Sequence, residues 1–165
     1  MVHLKSSREI EIMARGGQLL ARTLELLKRH VRPGISTKEL DTIAEDFIRS
    51  QPGASAAFKG LYGFPGSVCI SINEEIVHGI PSAKRILKDG DIVSLDFGVK
   101  LEGYFTDAAI TVPVGEISAQ DQKLLAVTQE ALAAGIAAAR PGNHIGDIGF
   151  AISNVVKGAG FTTAD

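Results

Sequence analysis

Apolar positions along the chain follow two periods, and the change from one to the other outlines the fold. From Ser6 the period is helical. Ser6-Ser7-Arg8-Glu9 has the form of a capping box, and Ile10, Ile12, Met13, Leu19, Leu20, Leu24 and Leu27 continue an apolar stripe to about His30. Arg32-Pro33-Gly34 stops that helix. Ser36-Thr37-Lys38-Glu39 is a second capping box, which opens a helix through Leu40, Ile43, Phe47 and Ile48. Residues 52–67 hold Pro52, Gly53, Gly60, Gly63, Pro65 and Gly66, and read as an irregular loop. The period then becomes two. "SVCISIN" sets Val68, Ile70 and Ile72 against Ser67, Cys69 and Ser71, and "DIVSLDFG" and "YFTDAAITV" are two further strands. A helix follows from Ser118 to about Arg140, then a second Arg-Pro-Gly at 140–142, then a helix from about His144 to Lys157.

The two Arg-Pro-Gly segments each follow a long helix and precede an amphipathic one. This is the pattern of an internal repeat, with a first unit over about 5–115 and the start of a second over 116–165. The second unit ends before any strands corresponding to those of the first.

Asp96 and Asp107 break the strand pattern. With a turn centred on Leu101-Glu102, Asp96 faces Asp107 directly, Ser94 faces Ala109 and Gly98 faces Phe105, while Leu95–Ala108 and Val93–Ile110 make an apolar face. Opposed carboxylates would have Cβ atoms roughly 4.5–5.5 Å apart, where like charges destabilise a sheet. A bridging cation, a shared proton or full solvation would each relieve the repulsion. Divalent metals prefer such oxygen ligands, and paired metals about 3.5–4 Å apart suit this separation. An edge hairpin with two solvated acids accounts for the spacing equally well.

Bulk properties narrow the classes. The 165 residues suit one domain with a real core, and 45% hydrophobic and 22% charged residues are ordinary for a globular chain. A net charge of −2 with interspersed signs gives no nucleic-acid footprint and no polybasic membrane patch. The single cysteine, Cys69, excludes an internal disulfide and fits a reducing cytoplasm. The charged start "MVHLKSSREIEIM" does not read as a signal peptide, and "ALAAGIAAA" is too short to span a bilayer.

Four histidines and the cysteine remain to be placed. His78, after a strand and before Gly79-Ile80-Pro81, is either a structural residue or a neighbour of the acids that donates to a substrate. His30 sits at a helix C-terminus, and His3 and His144 read as exposed or capping residues. Cys69 lies on the strand face opposite Val68 and Ile70, either as a small packed hydrophobe or as pocket lining with Phe58, Tyr62 and Phe64. No base is placed to make it a nucleophile.

"YGFPGSVCISINEEIVHGIPS", "LKDGDIVSLDFG" and "EGYFTDAAITVPVG" resemble the bacterial type I methionine aminopeptidases, collinearly from about residue 4 to residue 161. The resemblance implies an α+β pita-bread fold, with two pseudo-symmetric halves around a curved antiparallel sheet. It implies metal-dependent removal of the initiator methionine from nascent proteins. Two divalent ions (Co, Mn, Fe or Zn) would be held by two aspartates, one histidine and two glutamates. Asp96 and Asp107 match the two aspartates, and His78 matches the histidine that contacts substrate near the scissile peptide. Cys69 and Phe64 match residues lining the methionine pocket, with Phe58 and Leu61 at looser pocket positions. The remaining ligands belong to the part of the family pattern beyond residue 165, and "GFTTAD" departs from that pattern after Phe161. The expectation is therefore an N-terminal, truncated part of the fold with little activity alone. The alternative is a non-catalytic half-fold that self-associates or binds a complementary half. A proline-specific relative is disfavoured by the compact pocket loop and the lack of a large N-terminal domain.

Overall fold

The computed structural model describes residues 3–163. Ala164 and Asp165, the end of "GFTTAD", lie outside the described residues, as do Met1 and Val2. The chain divides into two compact units, residues 1–117 and 118–165.

In the first unit both capping boxes form. Helix α1 runs Ser7–His30; the Ser6 N–H donates to Glu9 Oε2 at 2.7 Å, and the Glu9 N–H returns a bond to Ser6 Oγ at 3.4 Å. Helix α2, Thr37–Arg49, begins the same way at Ser36 and Glu39. Between them the Val31 N–H caps Leu27 O, and Gly34 takes a left-handed turn (φ 88°) closed by its own N–H to Leu87 O at 2.8 Å.

Four antiparallel strands complete the unit: β1 (Ala54–Ala56), β2 (Val68–Ile72), β3 (Ile92–Leu101) and β4 (Tyr104–Pro113). Strand β3 is central. Its two ends pair on one side with β1 and β2, and β4 pairs along its whole other side. Val93, Leu95, Phe97, Val99 and Leu101 point from β3 into one core with Ile12, Leu20, Leu24 and Leu27 of α1 and Leu40, Ala44 and Ile48 of α2. Each large side chain fully buried there contributes about 1.5–3 kcal/mol. Gly16 lets α1 lie close to β4, since a Cβ there would come 3.3 Å from Thr106 Oγ1. The alternate residues of β3 (Ser94, Asp96 and Gly98) point to the opposite face of the sheet.

The segment read as an irregular loop over 52–67 is more ordered than expected. It contains β1 and a short 3₁₀ turn at Leu61–Gly63. Three residues are too few to display a period, and β1 owes its existence to pairing with β3.

The second unit is a helical pair, α3 (Ala119–Ala138) and α4 (Ile145–Gly158). Ser118 caps α3 by accepting from the Asp121 N–H at 3.1 Å. Alanine and glycine make the close packing possible: a Cβ on Gly135 would come 2.9 Å from Ile152. Helix α3 ends at Ala138, two residues before the expected Arg140, because the residue preceding Pro141 is disfavoured in helical conformation.

Candidate functional site

The acid pair is built by the β3–β4 hairpin, in a register that differs from the sequence expectation. Asp96 faces Ala109, and Asp107 faces Gly98. The turn residues are Glu102 and Gly103, both left-handed at φ 49° and 87°, as a two-residue type I′ turn requires. Gly103, with its tolerance of positive φ, sets the turn one residue later than Leu101-Glu102. The observed register also matches the apolar face better, pairing Val93 with Val112 and Leu95 with Ile110. The slip is two residues, so both acids stay on the same face. They are diagonal neighbours, at a Cα spacing of about 7–8 Å that still allows their side chains to meet.

They do meet. Burial, the Asp107 charge and a hydrogen bond with the Asp107 carboxyl push Asp96 up to about 6, while nearby His78 pulls the other way. Cys69 pairs directly with Asp96 across β2–β3 and is 6% exposed. Burial first, then the two aspartates, raise its thiol to about 11, so it is inert at neutral pH. Next along the same face, Ser71, Ser94 and Thr111 align across three strands, with Ser94 and Thr111 hydroxyls 2.9 Å apart.

His78 arrives from the loop after β2. Its backbone is left-handed (φ 61°), and its neighbour Gly79 presses on β2 so closely that a Cβ would come 2.0 Å from Ile70 O. The Ile70 N–H donates to Gly79 O at 2.8 Å, and the Gly79 N–H donates to Ser71 Oγ at 3.1 Å. These bonds hold His78 within electrostatic reach of Asp96.

Phe58, Leu61 and Phe64 come from the loop between β1 and β2. The Phe58 ring rests on Gly98, where a Cβ would approach Phe58 Cε1 to 2.7 Å. Phe64 is half-buried, whereas Leu61 is 52% exposed and Tyr62 wholly exposed. Phe58 thus lies beside the acids, and Leu61 and Tyr62 project into solvent. Helix α2 ties down both ends of this loop. Glu45 pairs with Lys59 at 2.9 Å and accepts a hydrogen bond from the Ser67 hydroxyl. Buried Asp41 accepts the Ser67 and Val68 N–H groups at 2.6 and 3.1 Å.

The other histidines have local roles. His30 bonds to Leu26 O within α1, His144 caps α4, and His3 is exposed. Sequence reasoning missed Gly98 as the seat of Phe58, although a glycine inside a strand signals a close approach. It also missed Asp41, Glu45 and Arg85, whose roles depend on long-range contacts.

As a metal site the donor set is suitable but short. Two adjacent carboxylates that repel each other are hard oxygen ligands for a divalent cation. Among the described residues, no group of three or more His, Cys, Asp or Glu side chains could hold a metal. No helix among them is long and apolar enough to cross a membrane.

The profile of metallopeptidase family M24 matches residues 11–164. The chain belongs to this family. M24 enzymes use divalent metals, which agrees with the chemistry of the acid pair. Among M24 relatives, the chain is 53% identical over 162 residues to methionine aminopeptidase 1 of Bacillus subtilis, an alignment covering 98% of this chain and 64% of that protein. Two solved M24 structures share its fold. The methionine aminopeptidase of Thermotoga maritima matches with a TM-score of 0.95 at 34% identity, covering 98% of this chain and 65% of that one. That of Rickettsia prowazekii gives 0.92 at 37%, covering 96% and 63%. The expected α+β pita-bread architecture and the resemblance to bacterial methionine aminopeptidases are therefore borne out, over somewhat less than two thirds of the relatives' length.

Proposed function

We propose that this chain forms the N-terminal part of a methionine aminopeptidase, which removes the initiator methionine from nascent proteins. The observation that carries the reading is the meeting of Asp96 and Asp107 on one sheet face, with His78 and Phe58 beside them. In this reading Asp96 and Asp107 are ligands of a site that holds two divalent ions (Co, Mn, Fe or Zn) when complete. Bound metal supplies Lewis-acid chemistry. His78 donates a hydrogen bond to the substrate near the scissile peptide. Cys69, Phe64 and Phe58 form the methionine side-chain pocket, with the more exposed Leu61 at its rim, a soft, neutral surface suited to a thioether because the Cys69 thiol keeps its proton. Helices α3 and α4 repeat the helix, Arg-Pro-Gly, helix pattern of α1 and α2, with Gly34 and Gly142 both left-handed, and would open a second pseudo-repeat. The setting is cytoplasmic.

Two aspartates do not make a full transition-metal site, for which three or more protein ligands are usual. The 165-residue chain alone is therefore expected to release little methionine from a Met-Ala peptide, and near-normal turnover by material free of host enzyme would overturn this. Pocket binding is tested separately by titrating the chain with L-methionine under NMR. Shifts are expected at Phe58, Phe64, Cys69 and His78; shifts confined elsewhere would remove the pocket assignment.

A second reading, a non-catalytic half-fold that pairs with itself or with a complementary half, is favoured by one feature. Strand β4 pairs only with β3 among the described residues, and Phe105 on it is 56% exposed. Size-exclusion chromatography across a concentration series separates the two readings: a concentration-dependent dimer supports the second.

A further inference from the structure

The loop between β2 and Pro81 carries His78 but has few apolar anchors. Ile76, Val77 and Ile80 are 74%, 59% and 53% exposed. A non-glycine residue held in the left-handed region is strained, and persists only where its surroundings enforce it. Here the enforcement is polar. Arg85 is the only side chain among the described residues found bonding both to this loop's backbone and to that of β2. Its Nη1 donates to Ile80 O at 2.8 Å and to Ile70 O at 3.2 Å. Its Nη2 pairs with Glu75, whose carboxylate also accepts the Ile72 N–H at 2.8 Å. The side chain is 25% exposed, the most enclosed cation among the ion pairs described for this chain. Its planar fork spans three acceptors, which a lysine ammonium on a flexible stem does less well.

We infer that Arg85 is a positioning residue for His78: it fastens the 75–80 loop to β2 and so presents the imidazole beside Asp96. The inference rests on the reading of His78 as a substrate-contacting residue. The side-chain hydrogen bonds and ion pair described for Arg85 go to Ile70, Ile80 and Glu75 and not to either acid or the pocket loop, so its loss should release His78 and leave the β3–β4 hairpin in place.

The test uses the isotopically labelled 165-residue chain with Mn²⁺ as a paramagnetic probe. In the wild type, Mn²⁺ should broaden both the Ala108 amide and the His78 ring signals. In Arg85→Ala, amide exchange at Ile70 and Gly79 should accelerate by about tenfold, the equivalent of one charge-assisted hydrogen bond. Broadening at His78 should fade while broadening at Ala108 persists. Millimolar guanidinium should restore His78 broadening in Arg85→Ala, which a general loss of packing would not allow. Arg85→Lys retains the charge, provides a second variant should the alanine chain not fold, and should show the same effects more weakly. Wild-type exchange at Ile70 and Gly79 in both variants would overturn the inference. Absence of broadening in the wild type would instead count against Asp96 and Asp107 as ligands, and the exchange comparison would still decide the role of Arg85.

Discussion

Cys69 and Asp96 stand directly opposite each other on β2 and β3, on the sheet face turned away from α1 and α2. A buried thiol beside carboxylates resists ionisation, with burial the larger cause. Alkylation of Cys69 by iodoacetamide should therefore be slow at pH 7.5 and keep rising past pH 9, without a plateau below about 11. Asp96→Asn should speed it only modestly, because burial remains. A plateau near the usual thiol range would show that Cys69 is not enclosed as described.

The raised Asp96 carboxyl carries a stability signature of definite sign. Its folded value of about 6 lies above the ordinary 3.8, so the folded state holds the proton more tightly. Its stabilising contribution is complete below pH 3.8 and is lost as pH rises toward 6. At pH 7 the group opposes folding, and Asp96→Asn should stabilise the metal-free chain by about 1–2 kcal/mol after allowance for its partial exposure. At pH 4 the gain should be small. Urea denaturation at the two pH values measures the difference; equal effects would contradict the raised value.

Cation binding should follow the same proton. Calorimetric titration with Mn²⁺ should give weak affinity, on the order of 10⁻⁴–10⁻³ M for so few ligands. It should weaken further as pH falls through 6, where the proton competes for Asp96. Asp96→Asn and Asp107→Asn should each abolish it. Sub-micromolar affinity would mean that further ligands complete the site, from another copy or from residues outside this set.

Gly98 is predicted to tolerate no side chain without cost. A Cβ there would meet Phe58 at 2.7 Å and Ala57 at 2.9 Å. Gly98→Ala should destabilise by about 1–3 kcal/mol, as overpacking does, and should displace the Phe58 ring resonances. Gly98→Ala combined with Phe58→Ala should recover part of the loss.

Much of this was legible in the order of residues. The boxes Ser6–Glu9 and Ser36–Glu39 are local signals that satisfy local donors, so both helices begin where expected. Asp96 and Asp107 were placed on one face because side-chain direction depends only on even or odd spacing. Their pairing depends on the turn, where Gly103 marks a position of positive φ but the left-handed Glu102 before it carries no strong sequence mark. Strand β1 was missed because three residues show no period. Arg85, Asp41 and Glu45 act through contacts with residues 15, 26 and 22 positions away or with nearby carbonyls of no particular sequence. Nothing in their own surroundings distinguishes them from solvated surface charges.

The Glu102-Gly103 turn also works as a spacer of fixed length. With the turn held directly after Leu101, adding or removing two residues ahead of Asp107 would slide the second carboxylate along its strand by about 6.8 Å and alter its distance from the first while keeping it outward. Adding or removing one would drive a charge into the layer occupied by Leu95 and Phe97. With that turn held, only even steps keep both acids on one face, and their separation then changes in jumps.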